Sequence, residues 1–250
     1  ALCDGALCPT QWQASQFPPA LRERLDVVFD GIDTEYFSPL PERREGLNVR
    51  DVQIPADVPL VTYVTRGFEP YRGWPQVAEG LALLLQRNPR AHVLLVGSDD
   101  VAYGARRGDG RSWRSWALEQ WPMDPSRLQQ LPPLQYDEYR QVLRHSWVHV
   151  YWTIPFILSW SLMESLATGC CVVASDTQPV REVMTSGAQG MLVNFFDPQA
   201  LAQQVDTLLQ DPQRRRQLGQ QAREHILANG YDRSTCLQRQ LALIERVARP

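Results

Sequence analysis

From residue 60 onward, short runs of apolar, β-favouring residues alternate with stretches whose apolar positions recur at helical spacing, and no other feature narrows the fold as much. The runs are LVTYVT (60–65), HVLLVG (92–97), RLQQL (127–131), VHVYW (148–152), CVVAS (171–175) and GMLVNF (190–195). Between the first two, Val77, Leu81, Leu84 and Leu85 fall on one face of a helix read over 74–89. Further helices are read at 112–121, over DEYRQVLRHS (137–146) and within SWSLMESLATG, where Gly169 suits a helix C-terminus. After residue 195 only helical patterns remain. Six strands alternating with helices predict an α/β fold, a Rossmann-like doubly wound parallel sheet of order 3-2-1-4-5-6 with helices on both faces.

In that order the first and fourth strands lie side by side at the topological switch point, and ligands bind beyond the carboxyl ends of the strands there. The exits of those two strands read TRGFEPYRG (65–73) and TIPFILSWSLME (153–164).

Composition limits what can bind. A chain of 250 residues holds one large domain, or one domain and part of another. The net charge of -3 argues against a general nucleic-acid binder, so any anion site must be local. The five cysteines, with Cys170 and Cys171 adjacent in an apolar run and no CxxC spacing, read as buried thiols of a reducing compartment, with no metal site expected. No apolar stretch approaches the ~18 residues of a spanning helix, and no signal-peptide pattern opens the chain. The opening ALCDGALCPT lacks an initiator Met and a strand-like start, so the chain reads as a fragment of something longer. LDVVFDGID (25–33) is read as a short strand with a turn, and PLPERREGL (39–47) as a polar linker.

Arg66 and Arg72 bracket a turn at the end of the first strand, and Gly67 and Gly73 permit close backbone approach or positive φ. Guanidinium groups pair with phosphate oxygens through forked, charge-assisted bonds at any working pH. The competing reading is two solvated arginines around a turn, with a salt bridge to Glu69. In the other exit, Ser161-Leu-Met-Glu164 fits a capping box, Ser161 capping and Glu164 reaching back to its backbone N–H. Alternatively the free N–H groups of the first helical turn face a phosphate, and Glu164, one turn in, accepts hydrogen bonds from a ribose diol. YGARRGDGRS (103–112) is glycine-rich and basic but lacks a P-loop ending, and reads as a lid or an exposed loop. His92, His145 and His149 are read as structural, Asp176 as capping the turn after its strand, and Trp113, Trp116, Trp121 and Trp147 as core or interface.

GIDTEYFSP (31–39), RGFEPYRG (66–73), SLMESLATGCCVVASD (161–176), EV (182–183) and GMLVNFFDPQALA (190–202), in that order, resemble the nucleotide-sugar-binding domain of the group 1 glycosyltransferases, retaining enzymes of the GT-B architecture. The wording around EPYRG and PFILSWS looks like a bacterial subtype. The resemblance implies the C-terminal half of a GT-B enzyme. Residues 1–45 would be the end of the N-terminal domain or a linker, 46–228 the nucleotide-sugar-binding domain, and 229–250 a C-terminal helix packing toward the missing domain. It also implies site residues. Arg66 would match the diphosphate-binding arginine, and Arg72 a lysine, whose charge it keeps while changing the geometry. Glu164 would be the ribose-binding second glutamate of E-x7-E, and Ser159, Ser161 and Leu162 would lie at the phosphates beside Gly67. The first glutamate of that motif, which touches the donor sugar in the family, falls at Phe156.

The activity implied by the resemblance is that of a glycosyltransferase fragment, which binds a nucleotide sugar, a UDP-, GDP- or ADP-sugar, as donor substrate with no cofactor. It would act in cell-surface glycan synthesis, on a glycan or lipid-linked acceptor held by the missing domain, without which the fragment is not expected to transfer sugar. The location would be cytoplasmic or at the inner face of a membrane, with any membrane contact made by the missing part. The rivals are a GT-B nucleotide-sugar epimerase and a non-catalytic nucleotide-sugar-binding module.

Overall fold

The computed structural model describes residues 4–40 and 45–248. The chain opens with β1 (Ala6–Cys8), α1 (Gln11–Ser15), α2 (Pro19–Arg22) and β2 (Leu25–Val27), followed by β3 (Leu47–Val49) and β4 (Val52–Ile54). The α/β unit then runs β5 (Leu60–Gly67), a 3-10 turn over Pro70–Arg72, α3 (Trp74–Arg87), β6 (His92–Ser98), α4 (Trp113–Gln120), β7 (Leu128–Leu131), α5 (Tyr136–His145) and β8 (Val148–Tyr151). It continues through α6 (Trp160–Ala167), β9 (Val172–Ser175), α7 (Gln178–Arg181), β10 (Met191–Val193), α8 (Pro198–Gln210), α9 (Pro212–Ala228) and α10 (Arg233–Ala248).

The six strands from β5 to β10 form one sheet in the order β7-β6-β5-β8-β9-β10, every pair parallel. Numbered along the chain this is 3-2-1-4-5-6, the predicted order, and β5 pairs directly with β8 (Val61 opposite Val148, Tyr63 opposite Val150). Side chains alternate across the pleat. Val61, Tyr63, Val93, Leu95, Val148, Val150 and Val173 pack with Trp74, Val77 and Leu81 of α3 and with Leu201 and Val205 of α8. Val172 and Ala174 face the other way, onto Leu162, Met163 and Leu166 of α6 and Ile226 of α9. These positions are almost wholly buried, and truncating one such leucine to alanine costs about 2–5 kcal/mol.

Two features were not visible in the sequence. β3 and β4 pair as an antiparallel hairpin whose Leu47, Val49, Val52 and Ile54 join Leu60, Leu94, Val96 and Leu131 in a third apolar cluster. Its two-residue turn, Arg50-Asp51, lacks the Asn-Gly or Asp-Gly signature; Arg50 takes φ +54 while its guanidinium pairs with Glu138. The polar linker expected over 39–47 therefore ends in this strand, its centre at 41–44 lying outside the described residues. Second, β1 and β2 make a separate two-stranded parallel sheet. α10 lies against this part of the chain: the Arg233 N–H donates to the Ile32 carbonyl, and Arg246 pairs with Asp26.

Cys8, Cys171 and Cys236 are buried free thiols, and Cys170 is buried with its sulfur donating to the Leu143 carbonyl. Cys3 lies outside the described residues. Burial pushes the Cys171 thiol up to about 12. Among the described residues no helix is long and apolar enough to cross a membrane.

Candidate functional site

A cavity of about 630 Å3 opens at the carboxyl ends of β5 and β8. Arg66, Arg72, Ser159, Ser161 and Glu164 all line it, together with Tyr136, Tyr139 and Leu134. Residues nearly a hundred positions apart thus meet because β5 and β8 are neighbours in the sheet. A larger hollow of about 800 Å3 lies at the opposite edge, beside Trp147, Gly169 and α9. Two of its three guanidinium groups are engaged: Arg223 donates to the Ala167 and Phe37 carbonyls, and Arg215 to those of Leu208 and Leu209.

Neither of the two cavity arginines is paired with a carboxylate among the described residues. Arg66 is exposed at the end of β5, and its guanidinium has no hydrogen bond or ion pair among the described residues. Arg72 sits on the 3-10 turn with its guanidinium 5.4 Å from the ring centres of both Tyr103 and Phe156. Neither arginine pairs with Glu69, so the salt-bridged turn expected as the competing reading is absent. Glu69 is fully buried and accepts the Tyr103 backbone N–H at 2.8 Å, drawing the loop after β6 over the turn. Several arginines elsewhere are paired with carboxylates, as in Arg50–Glu138, Arg114–Asp99, Arg181–Asp176 and Arg246–Asp26.

Gly73 makes this turn possible. It closes the 3-10 segment at φ +66, and a Cβ there would sit 2.2 Å from the Trp152 ring. Gly67 has a different role from the ligand contact expected of it. It is buried, and its missing Cβ gives room to the Asp100 carbonyl, 2.2 Å from where that atom would be.

The expected capping box does not form. α6 starts at Trp160 with Ser159 as N-cap, no side chain caps it, and the Ser159 and Ser161 hydroxyls bond each other at 2.8 Å. The first-turn N–H groups of Trp160, Ser161 and Leu162 therefore have no intrahelical acceptor. Leu162 can contribute only that N–H, because its side chain is fully buried in the core. Glu164, instead of reaching back, is buried beneath two tyrosines, with the Tyr136 hydroxyl donating to its Oε1 at 3.4 Å. Burial pushes its carboxyl up to about 7, against the opposing hydrogen bonds from Tyr139 and Tyr136.

Phe156 does not line the cavity. Its ring lies 5.0 Å from that of Tyr103, and the two rings flank Arg72. Sequence reasoning missed Tyr103, Tyr136 and Tyr139. The last two carried a usable signal, since Tyr136 and Tyr139 are three apart on a helix and so share a face.

Other candidates resolve as structural. His149 is fully buried, its Nδ1 2.8 Å from the Thr62 hydroxyl, and burial lowers its pKa to about 4. His145 bonds the Gln141 carbonyl one turn back. In the basic loop, Arg107 and Arg111 both bind Asp109, and Arg107 lies over Trp113 and Trp116. Two of the loop's three arginines are thus engaged within the loop and on the tryptophans.

Residues 128–225 match the family model described as glycosyl transferases group 1, and residues 1–37 match that of the glycosyl transferase family 4 group. Curated relatives carry the same kind of name. One is a D-inositol 3-phosphate glycosyltransferase of Corynebacterium efficiens, 28% identical over 205 residues, 81% of this chain and 47% of the relative. The chain is similar to the group 1 glycosyltransferases.

Another curated relative is an alpha-maltose-1-phosphate synthase of Mycolicibacterium smegmatis, 26% identical over 84% of this chain and 54% of the relative. The chain spans about half the length of the curated relatives it matches. Among solved structures, sucrose-phosphate synthase of Thermosynechococcus elongatus superposes with a TM-score of 0.74 at 25% identity, covering 97% of this chain and 58% of that one. Anabaena HepE in complex with UDP-glucose superposes with a TM-score of 0.77 at 18% identity, covering 98% and 64%. Of the cavity residues, Glu164, Ser159 and Ser161 lie inside the group 1 match, whereas Arg66 and Arg72 lie between the two matched segments.

Proposed function

We propose that this chain is the donor-binding half of a retaining glycosyltransferase that takes a sugar from a nucleoside diphosphate and passes it to an acceptor hydroxyl. One observation carries the reading: two guanidinium groups without a carboxylate partner share a cavity with the uncapped first turn of α6, at the switch point of the sheet. Arg66, Arg72 and the first-turn N–H groups bind the diphosphate, and Glu164 binds the ribose. When the bond between the sugar carbon and the diphosphate breaks, its electron pair passes to the phosphate oxygen. The two cations then stabilise the departing charge without having to reorganise. Phe156 acts on the donor through Arg72 rather than by contact. The relatives' names support sugar transfer, and the HepE complex supports a uridine nucleotide. The acceptor site, a role in bacterial cell-surface glycan synthesis and a cytoplasmic location belong to the same proposal and rest on family likeness. So does the division into a tail of the N-terminal domain up to residue 45 and a donor domain after it.

Calorimetric titration with UDP, GDP, ADP and UDP-glucose tests the site. The expected result is binding of one nucleotide that weakens about tenfold or more in Arg66→Ala, roughly 1.4 kcal/mol, with an unchanged melting temperature. Binding unaffected by Arg66→Ala and Arg72→Ala would overturn the assignment.

A further inference from the structure

A second hollow, of about 390 Å3, opens on the same carboxyl edge, beyond β9 and β10. The strap after β8 separates it from the cavity described above, with Trp152 lining the first and Ile154 and Pro155 the second. The strap is fixed: the Ile154 N–H donates to the Tyr71 carbonyl at 3.1 Å, and the Thr153 N–H to the Ser175 hydroxyl at 3.0 Å. The second hollow is therefore built into the sheet edge.

Its lining combines one bare aromatic ring with planar polar groups. Phe196 is 78% exposed although it stands edge-on to the buried Phe195 at 4.9 Å. Asp176 and Arg181 face the hollow as a two-bond ion pair at 2.5 and 2.7 Å, which leaves further lone pairs on the carboxylate and further N–H groups on the guanidinium. Asn194 accepts the Phe196 N–H through its Oδ1, leaving its amide NH2 for a ligand. The Thr177 hydroxyl, also in the lining, is buried without a hydrogen-bond partner.

We infer that this hollow is a carbohydrate subsite, in which a sugar ring lies against Phe196 and its hydroxyls bond Asp176, Arg181 and Asn194. A pyranose has an apolar C–H face that suits an aromatic ring, and a rim of hydroxyls that suits paired donors and acceptors. The volume is within the range of small-molecule sites. The apolar part of the lining, Phe196 with Phe195, Ile154 and Pro155, stands beside the charged and amide groups of Asp176, Arg181, Asn194 and Gln178, the mixed character a sugar's apolar face and hydroxyl rim call for. The class of ligand rests on the glycosyltransferase reading: a subsite one strap away from the donor cavity is placed to hold part of a glycan acceptor.

Amide shift mapping on the 250-residue chain tests it, with methyl α-glucoside, methyl α-mannoside, methyl α-galactoside and N-acetylglucosamine as probes and UDP as a separate ligand. The expected result is saturable shifts at residues 176–178 and 194–196 from at least one sugar. That affinity should fall about fivefold in Phe196→Ala and recover in Phe196→Tyr, with UDP-induced shifts near Arg66 and Ser161 unchanged. Absence of such shifts from every probe, or shifts that ignore Phe196→Ala, would overturn the subsite. A Phe196→Ala chain that only sediments differently would also overturn it, assigning the ring to a protein contact. Failure of UDP to shift the donor cavity, with sugars still binding at Phe196, would reject the donor reading and leave the subsite standing.

Discussion

Glu164 is the residue whose chemistry depends most on its surroundings. On an exposed helix its carboxyl would be ionised at neutral pH; under Tyr136 and Tyr139 it stands at about 7 instead of 4.5. A raised folded-state value contributes stability that is full below the unfolded value and is lost as pH rises through about 7. Chemical denaturation at about pH 6 and about pH 8 should therefore show a stability decrease in the parent chain that Glu164→Gln lacks. Donor affinity should move the other way: the ionised carboxylate is the better acceptor for a ribose diol, so UDP-glucose should bind more tightly at the higher pH in the parent and show no such trend in Glu164→Gln. Arg72 offers a second test at this scale. Removing one flanking ring in Phe156→Ala takes away a contact of about 0.5–1 kcal/mol, and UDP-glucose affinity should fall by a factor of about 2–5 in calorimetry while the melting temperature holds. A Phe156 that touched the donor sugar directly would change UDP-glucose affinity and leave UDP affinity alone.

At the scale of elements, the site depends on two chain segments that end abruptly. β5 runs into a 3-10 turn closed by Gly73, and α6 starts without a side-chain cap. In Gly73→Ala a methyl group would enter the Trp152 ring from a left-handed backbone position, which should cost about 1–3 kcal/mol in urea denaturation and weaken UDP binding, because Arg72 is carried on the same turn. The strand exits were legible in the sequence because β-rich runs and Gly-Pro turns are local signals. The capping box was misread for a physical reason. Ser-x-x-Glu describes what a helix start can do in isolation, but Glu164 is on the helix face that packs under α5, and burial there leaves it no path back to the first turn.

For the whole molecule, residues 4–32 are fastened to the sheet unit at separate points. The Glu182 carboxylate accepts the Gln11 and Trp12 N–H groups at 2.7 and 2.8 Å, Trp160 donates to Asp30, and α10 lies alongside. From the sequence Asp176 reads as capping the turn after its strand, and Glu182 only as part of the EV in the family resemblance. The structure makes Asp176 the partner of Arg181 and Glu182 the clamp on α1. Glu182→Ala should leave two N–H groups of α1 without an acceptor, so hydrogen exchange should quicken across residues 11–15 while β5 stays protected; unchanged exchange at α1 would show the clamp to be dispensable.

By itself the sequence determined the sheet, its strand order and the two exits where a ligand would bind, because periodicity and turn chemistry act over a few residues and the handedness of crossover connections allows few alternatives. It also placed Arg66, Arg72, Ser159, Ser161 and Glu164 in the candidate site. Only the tertiary structure decided that Arg66 and Arg72 lack carboxylate partners, that Gly67 makes room for a carbonyl, that Phe156 holds an arginine, and that Glu164 is buried under two tyrosines. Those are outcomes of which side chains meet across the sheet edge, a matter of packing between residues far apart in the chain, and no local pattern encodes them.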